Sequence, residues 1–80
     1  VVLFSGDKVK ELGVTTIARF VGYKAVGVDP KIMGIGTAYA IPEVLSLSNL
    51  SVEDIDFIEL NEAFASQTIA SIKEVGLDIS

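Results

Sequence analysis

Apolar residues in this chain cluster in three runs that lack a regular alternation with polar residues. The runs cover residues 1–4, 17–28 and 55–60, and the β-rich stretch that contains the second run begins at residue 15. Strands that are buried on both faces show this pattern, whereas strands with one face in solvent alternate between apolar and polar side chains. The pattern therefore predicts three buried strands, with Gly22 as a bulge or a point of close backbone approach in the second.

Capping residues indicate helices between and after these runs. Ser5 is a predicted N-cap of a first helix, and Gly13 supplies the left-handed residue that ends it. A second helix is predicted over residues 37–48, with a late start or a kink at Pro42, because proline lacks a main-chain donor. A third helix follows the last strand and ends at Gly76.

The Asp29-Pro30 step divides the chain into two predicted units. A residue before proline is pushed to extended geometry, and proline cannot join the ladder of a central strand. Residues 1–29 then form a strand–helix–strand unit, and residues 30–80 form a loop–helix–strand–helix unit. Eighty residues are too few to cover both faces of a buried sheet, so we expect a piece of a larger α/β protein.

Composition excludes several classes of function for these residues. The chain has no cysteine and no histidine, so it lacks a thiol nucleophile, the usual transition-metal ligands and the commonest proton-transfer group. A net charge of −5 with six basic residues argues against binding to nucleic acid or to an anionic membrane. No apolar run reaches the roughly 20 residues of a membrane span. From this composition we expect a soluble, cytoplasmic protein.

Two glycines, Gly34 and Gly36, lie in a predicted loop over residues 31–36. A dinucleotide fingerprint would need a third glycine at position 39, where Tyr39 stands, and no Gly-Lys-Ser/Thr sequence marks a phosphate loop. We interpret these glycines as structural. Met33 beside them is either a gap-filling core residue or part of the wall of an acyl pocket.

Acidic residues gather between positions 53 and 62 without the spacing of a calcium loop. We interpret most of them as a solvated edge and predict no metal site. Ser51 and Asp54 have the spacing of a capping box, with Asp in place of the usual Glu or Gln.

Asn61 and Glu62 directly follow the last predicted strand, at a corner where a helix begins. Ligands of open α/β sheets bind at such corners, near free helix N-terminal N–H groups. Asn61 is either a helix N-cap, with Glu62 favourably placed in the first turn, or an amide that donates toward a reacting oxygen. The sequence pattern leaves both roles open.

Three stretches around these residues resemble, in the same order, motifs of the thiolases, the family of acetyl-CoA acetyltransferases and 3-ketoacyl-CoA thiolases. The stretches are residues 25–30 (AVGVDP), 32–36 (IMGIG) with 40–42 (AIP), and 54–56 (DID) with 61–65 (NEAFA). The resemblance extends over essentially all of this chain but over a minor part of a thiolase. Residues 1–29 correspond to the end of its N-terminal half, and residues 30–80 to the start of its C-terminal half. Thr37 stands where many thiolases have proline.

The resemblance implies a duplicated α/β fold, layered α/β/α/β/α in the complete protein, and a role in fatty acid metabolism. It implies acetyl transfer between acetyl-CoA and acetoacetyl-CoA or a longer 3-ketoacyl-CoA, with coenzyme A as a substrate and no covalently bound cofactor. The two cysteines and the histidine of that reaction lie outside these 80 residues, so the chain by itself is expected to be inactive. A homodimeric or homotetrameric parent is also implied.

The same resemblance assigns site residues. Asn61 corresponds to the asparagine that holds a catalytic water, which joins the absent histidine in an oxyanion hole for the thioester carbonyl. The residues that correspond to the lining of the acyl and pantetheine pocket are Met33, Ala63 and Phe64. The residues that correspond to structural positions at the site are Glu62, Gly34 and Gly36.

A different class of function stays open at this point. The chain is small and acidic, and residues 76–80 faintly resemble the phosphopantetheine site of a carrier protein. Ile79 separates Asp78 from Ser80, whereas in carriers the serine directly follows the aspartate. A non-catalytic carrier or interaction module is therefore the alternative, and an inactive relative of the thiolases is a third possibility.

Overall fold

A computed structural model describes residues 1–78 and shows three α-helices and two short 3₁₀ helices. In chain order the elements are α1 (Gly6–Leu12), the 3₁₀ helix η1 (Pro30–Ile35), α2 (Gly36–Ser48), the 3₁₀ helix η2 (Val52–Asp54) and α3 (Ala65–Val75). The helices α2 and α3 pack on each other, and η1 packs against both. No helix within the described range is long and apolar enough to cross a bilayer.

Helix α1 has the ends that its sequence predicts. The Ser5 hydroxyl accepts a hydrogen bond from the Lys8 N–H at 3.3 Å, and Gly13 ends the helix with φ 63°. Lys8 also forms an ion pair with Glu11, with 2.7 Å between Nζ and Oε2. Both side chains are exposed, so this pair adds little stability. No residue of α1 is buried.

The three predicted strands are wrong for the described chain. Residues 1–4, 15–28 and 55–60 form no strand, because a strand requires main-chain hydrogen bonds to a neighbour and none of these segments pairs with another. The close approach predicted at Gly22 is confirmed: a methyl group there would lie 2.8 Å from the Ser48 Oγ atom of α2.

The segment over residues 18–29 runs without a turn or bend and lies along α2. Near its middle, the Lys24 ammonium lies 3.4 Å from the Glu43 carboxylate. At its end, a methyl group at Gly36 would lie 3.8 Å from a methyl group of Val28. Together with Gly22, these neighbours place the segment along much of the length of α2.

The contact between α2 and α3 includes a hydrogen bond between two small side chains, and one small residue of each helix is buried. Ala38 of α2 is buried, and Ser71 of α3 is completely enclosed. The Ser71 hydroxyl lies 2.9 Å from the Thr37 hydroxyl, so its buried polar group has a hydrogen-bond partner. Small residues at this contact let the two helices come close together.

Helix α2 differs from its prediction at its start. It begins at Gly36, so a late start near Pro42 is wrong, and Pro42 lies in the interior of a continuous helix. Proline removes the single bond that its N–H would donate to the carbonyl of Ala38, and the remaining bonds keep the helix intact. Asn49 ends α2 with φ 53°, and its N–H is bonded to carbonyls of the last turn.

The loop predicted over residues 31–36 is also wrong, because most of it is the helix η1. The Asp29 carboxylate accepts from the Lys31 N–H at 2.8 Å, and Pro30 occupies the first helical position, where no donor is needed. Ile32 departs from helical geometry at φ −121° and kinks the element. The Asp29-Pro30 step thus starts a helix, and the boundary between two halves at that step stays a prediction.

The predicted capping box at Ser51 and Asp54 is confirmed. One oxygen of the Asp54 carboxylate accepts from the Ser51 N–H at 2.8 Å and from the Ser51 hydroxyl at 2.9 Å. The main-chain bond, followed by the hydroxyl bond, lowers the pKa of Asp54 below its ordinary value. The pKa of Glu53 is also lowered, chiefly by its own main-chain N–H and then by the Ser51 hydroxyl.

The chain has an open shape with little interior. Its accessible surface is 6852 Å², against about 4,650 Å² for a compact monomer of this mass. Its radius of gyration is 15.9 Å, against about 11.6 Å for a compact domain of this length. Among the described residues, Ala38 is the one buried apolar side chain, and aromatic rings such as Phe20 and Phe57 are largely exposed.

Candidate functional site

The corner over residues 61–64 leads into α3 without being part of it. The helix begins at Ala65, and Phe64 is its N-cap with extended backbone angles, φ −143° and ψ 137°. The first helical bond runs from the Thr68 N–H to the Phe64 carbonyl at 3.1 Å, which defines where the helix starts. Asn61 therefore lies four positions before the helix, and the prediction that it caps the helix is wrong. Glu62 also lies outside the first turn.

Asn61 and Glu62 are both exposed, and neither side chain makes a hydrogen bond within residues 1–78. The Asn61 amide is thus uncommitted to local structure, which removes capping as an explanation for this residue. Its role in an oxyanion hole stays a prediction. Glu62 holds no hydrogen bond of the corner in the described chain, so its structural role at the site stays a prediction as well.

The backbone of Phe64 is held on both sides while its ring faces outward. Its carbonyl accepts from the N–H and from the hydroxyl of Thr68, at 3.1 and 3.2 Å. Its N–H points to the side-chain oxygen of Gln67 at 3.5 Å, at the long end of hydrogen-bond distances. The ring is 71% exposed, and Ala63 beside it is exposed too. The corner thus presents an apolar ring from a well-held backbone.

Helix η1 brings a second group of predicted site residues to the start of α3. A methyl group at Gly34 would lie 3.5 Å from Cγ of Gln67, so the backbone of η1 passes directly beside that side chain. Met33 is 73% exposed, so it fills no gap within the described residues, and its place in the wall of an acyl pocket stays a prediction. Gly36, the third member of this group, begins α2.

Gln67 is the residue at this site that sequence reasoning missed. It lies in the first turn of α3, is half-buried, and stands between Gly34 of η1 and the N–H of Phe64. A signal was present, because a Gln three positions after an N-cap is the spacing of a capping box. The signal is easily missed because the N-cap residue is Phe64, and phenylalanine has no side-chain acceptor.

Two hollows occur elsewhere on the described surface. One of about 610 Å³ lies between η2 and the end of α3, where Val52, Phe57 and Gly76 are among its lining residues. The other, of about 160 Å³, is entirely apolar and is lined by residues that include Val44 and Leu77. None of the predicted site residues lines either hollow, so the acyl and pantetheine pocket stays a prediction.

No metal site is built by the part of the chain that the structure describes. Within residues 1–78, no three Asp, Glu, His or Cys side chains are grouped closely enough to hold an ion. The two carboxylates with lowered pKa values, Glu53 and Asp54, belong to η2 and not to the corner. The corner itself offers an exposed carboxamide, Asn61, and an exposed aromatic ring, Phe64.

Comparison with known proteins places all of these residues in one family. The sequence profile described as "Thiolase, C-terminal domain" matches residues 14–80. The chain is 50% identical to the peroxisomal 3-ketoacyl-CoA thiolase of Yarrowia lipolytica, over 100% of this chain and 19% of that protein. It is 48% identical to the human mitochondrial 3-ketoacyl-CoA thiolase, over 100% of this chain and 20% of that protein. The chain thus spans about a fifth of the length of the curated relatives it matches.

Superposition on solved structures gives the same family as these sequence matches. The acetyl-CoA acetyltransferase of Bacillus anthracis superposes with a TM-score of 0.88 at 54% identity, covering 92% of this chain and 19% of that one. Peroxisomal 3-ketoacyl-CoA thiolase of Saccharomyces cerevisiae, described as a five-layered α-β-α-β-α structure, superposes with a TM-score of 0.85 at 44% identity. This superposition covers 90% of this chain and 21% of the yeast chain. A second structure of the yeast enzyme, described as dimeric, superposes with a TM-score of 0.86 at 44% identity. This superposition covers 90% of this chain and 18% of that one.

These comparisons decide two of the expectations from sequence. The α/β fold class is confirmed, because the chain superposes on a part of that layered fold. The expectation of a cytoplasmic location is wrong, because similar relatives are named as peroxisomal or mitochondrial enzymes. Charge and the absence of cysteine in 80 residues do not distinguish between these compartments.

Proposed function

This chain belongs to the thiolase family, and from that premise we propose that it is part of an acetyl-CoA C-acyltransferase. The reaction would transfer an acetyl group between acetyl-CoA and acetoacetyl-CoA or a longer 3-ketoacyl-CoA. The observation that carries the proposal is the match of all 80 residues, at 50% identity, to a protein named as a 3-ketoacyl-CoA thiolase. The corner over residues 61–64 carries an exposed carboxamide, Asn61, and an exposed apolar ring, Phe64, which supports the same assignment.

The proposed role of Asn61 is to hold a water molecule against the carbonyl oxygen of the thioester. That thioester oxygen gains negative charge in the reaction that forms the carbon–carbon bond, so a donor held in place lowers the barrier. The carboxamide does not ionise and makes no competing hydrogen bond within residues 1–78. The nucleophile and the proton-transfer groups must come from outside this sequence, which has no cysteine and no histidine.

The proposed contact with the acyl and pantetheine chain is apolar. Phe64 and Met33 expose 71% and 73% of their surface, and Ala63 lies next to Phe64 along the corner. Packing of η1 against α3 brings the Met33 segment near the corner. Coenzyme A would enter as part of the substrate, with no covalently bound cofactor.

The proposed assembly is a homo-oligomer of the parent protein. A similar yeast thiolase is described as dimeric, which supports a homodimer. A homotetramer, the other arrangement implied by the family resemblance, has no such support among the comparisons.

A carrier or interaction module is not favoured. The profile match and the named relatives are thiolases over nearly the whole chain. In the carrier-like stretch over residues 76–80, Ile79 and Ser80 lie outside the described residues, so the structure gives the alternative no support.

The test is turnover of acetoacetyl-CoA and longer 3-ketoacyl-CoA by the full-length protein that carries these residues. We expect Asn61→Ser to reduce kcat by about 10²- to 10³-fold, the usual effect of losing one oxyanion donor. The melting temperature should stay unchanged, because the Asn61 side chain is exposed and bonded to nothing in the described chain. Ser66 is an exposed residue in the same region, so Ser66→Ala is the matched control and should keep full activity.

Two results would count against the proposal in different ways. A wild-type protein that binds but never cleaves a 3-ketoacyl-CoA would be an inactive relative of the thiolases. Undiminished turnover by the Asn61→Ser variant would leave the enzyme assignment standing and remove Asn61 from its catalytic site.

A further inference from the structure

Gln67 touches both segments that carry the predicted substrate contacts. Its stem lies beside Gly34, where an added methyl group would be 3.5 Å from Cγ and 3.7 Å from Cβ. Its side-chain oxygen lies 3.5 Å from the N–H of Phe64. The residue is half-buried in the first turn of α3, so its side chain is confined between η1 and the corner.

The hydrogen bond from the Phe64 N–H to Gln67 orients more than one residue. The N–H of Phe64 and the carbonyl of Ala63 belong to the same planar peptide unit. An acceptor that holds the N–H therefore also sets the direction of the Ala63 carbonyl and the path of the chain back toward Asn61. On the other side of Phe64, its carbonyl accepts hydrogen bonds from the N–H and the hydroxyl of Thr68. The Gln67 side chain holds the other peptide unit of the N-cap residue Phe64, the one that joins it to Ala63.

We propose that Gln67 is a positioning residue for the acyl-CoA site. Its amide oxygen orients the Ala63–Phe64 peptide, while its stem packs against Gly34 and keeps the Met33 segment at a set distance from the Phe64 ring. This inference rests on the proposed function, because it takes those residues as the apolar contacts of the acyl and pantetheine chain. Gln67 acts through them and touches no reacting atom.

The expected consequence of losing the acceptor is weaker substrate binding with unchanged chemistry. Removing a contact that stabilises the ground state and the transition state equally raises KM and leaves kcat unchanged. The hydrogen bond between Gln67 and Phe64 is long at 3.5 Å, so its loss corresponds to the lower half of the ordinary range, about a two- to fivefold change. We therefore expect KM for a 3-ketoacyl-CoA to rise by about that factor, with kcat within about twofold of wild type.

The experiment compares three variants of the full-length protein. Gln67→Met keeps the two stem carbons beside Gly34 and removes the acceptor, so KM should rise. Gln67→Glu keeps the same stem and restores an acceptor, so KM should return to within about twofold of wild type. Ser66→Ala changes an exposed neighbour and should leave both constants unchanged. If Gln67→Met does not accumulate, Gln67→Asn replaces it, since its shorter side chain does not reach the Phe64 N–H.

Hydrogen exchange of the peptide over residues 61–67 supplies a readout that does not depend on activity. Exchange at the Phe64 amide should be faster in Gln67→Met and close to wild type in Gln67→Glu. Unchanged exchange in Gln67→Met, or a KM that rises equally in Gln67→Glu, would overturn the inference. A wild-type protein without thiolase activity would refute the proposed function instead, and the exchange result would then decide whether Gln67 holds the corner.

Discussion

Gly22 provides the sharpest test of how the segment over residues 18–29 lies on α2. A methyl group built at Gly22 would stand 2.8 Å from Oγ of Ser48 and 3.7 Å from a methyl group of Val44. The second distance is an ordinary van der Waals contact, whereas the first is shorter than carbon and oxygen atoms tolerate. Gly22→Ala must therefore move the Ser48 hydroxyl, the segment or the helix.

The expected magnitude follows from the size of that overlap. Extra carbon in a well-packed core destabilises a protein by about 1–3 kcal/mol. Gly22 is exposed and meets the end of a side chain, so we expect the lower end of that range. Because the obstructing atom is a single hydroxyl oxygen, Ser48→Ala should remove most of the penalty. By itself, Ser48→Ala should have little effect, since alanine is a better helix former than serine. The double variant should therefore be nearly as stable as Ser48→Ala alone.

The assay is denaturant unfolding of the full-length protein in a double-mutant cycle. We expect a coupling energy of about 1 kcal/mol or more between the two positions, in the range measured for residues in contact. Gly34→Ala is the matched control, because its added methyl group would meet Gln67 at an ordinary 3.5 Å. Equal destabilisation by Gly22→Ala with and without Ser48→Ala would refute the reasoning, since the strain would then lie in the backbone.

Two further predictions concern the chain alone and its response to acid. The isolated 80-residue chain exposes 6852 Å² and has one buried apolar side chain within residues 1–78, so it should show no cooperative thermal transition by circular dichroism. A sharp two-state melt would contradict this. In the full-length protein, the lowered pKa of Asp54 stabilises the fold above the unfolded value of about 3.9, and this contribution is lost as pH falls through the folded pKa. Asp54→Asn should therefore make the melting temperature less dependent on pH between about 5 and 3; an unchanged acid dependence would exclude this role.

Local signals in the sequence predicted the ends of helices well. Ser5, Gly13 and Gly76 all occupy the capping positions expected of them, and the Ser51–Asp54 bonds form with Asp in the place of Glu or Gln. Each of these features is a contact between residues at most four apart, or a backbone angle of one residue. Such features depend little on the rest of the protein, so the sequence is sufficient to predict them.

The predictions that failed depended on groups distant in the sequence. Residues 55–60 have the composition of a buried strand, yet a strand exists only where another strand supplies hydrogen bonds. Asn61 is a good N-cap residue, but α3 begins at Ala65, where the Thr68 N–H bonds to the Phe64 carbonyl. Propensity alone does not choose between those two starts.

The sequence by itself determined the family, the absence of cysteine and histidine chemistry, and the caps of the helices, because these reside in residue identities and short-range bonds. Tertiary structure alone decided the enclosure of Ser71 against Thr37, the approach of Gly22 to Ser48, and the place of Gln67 beside Gly34. These contacts join residues 26 to 34 positions apart, so they exist only once the segment over residues 18–29, η1, α2 and α3 have packed together. The candidate site depends on both, since the sequence supplies its amide and apolar side chains and packing brings the segments that carry them together.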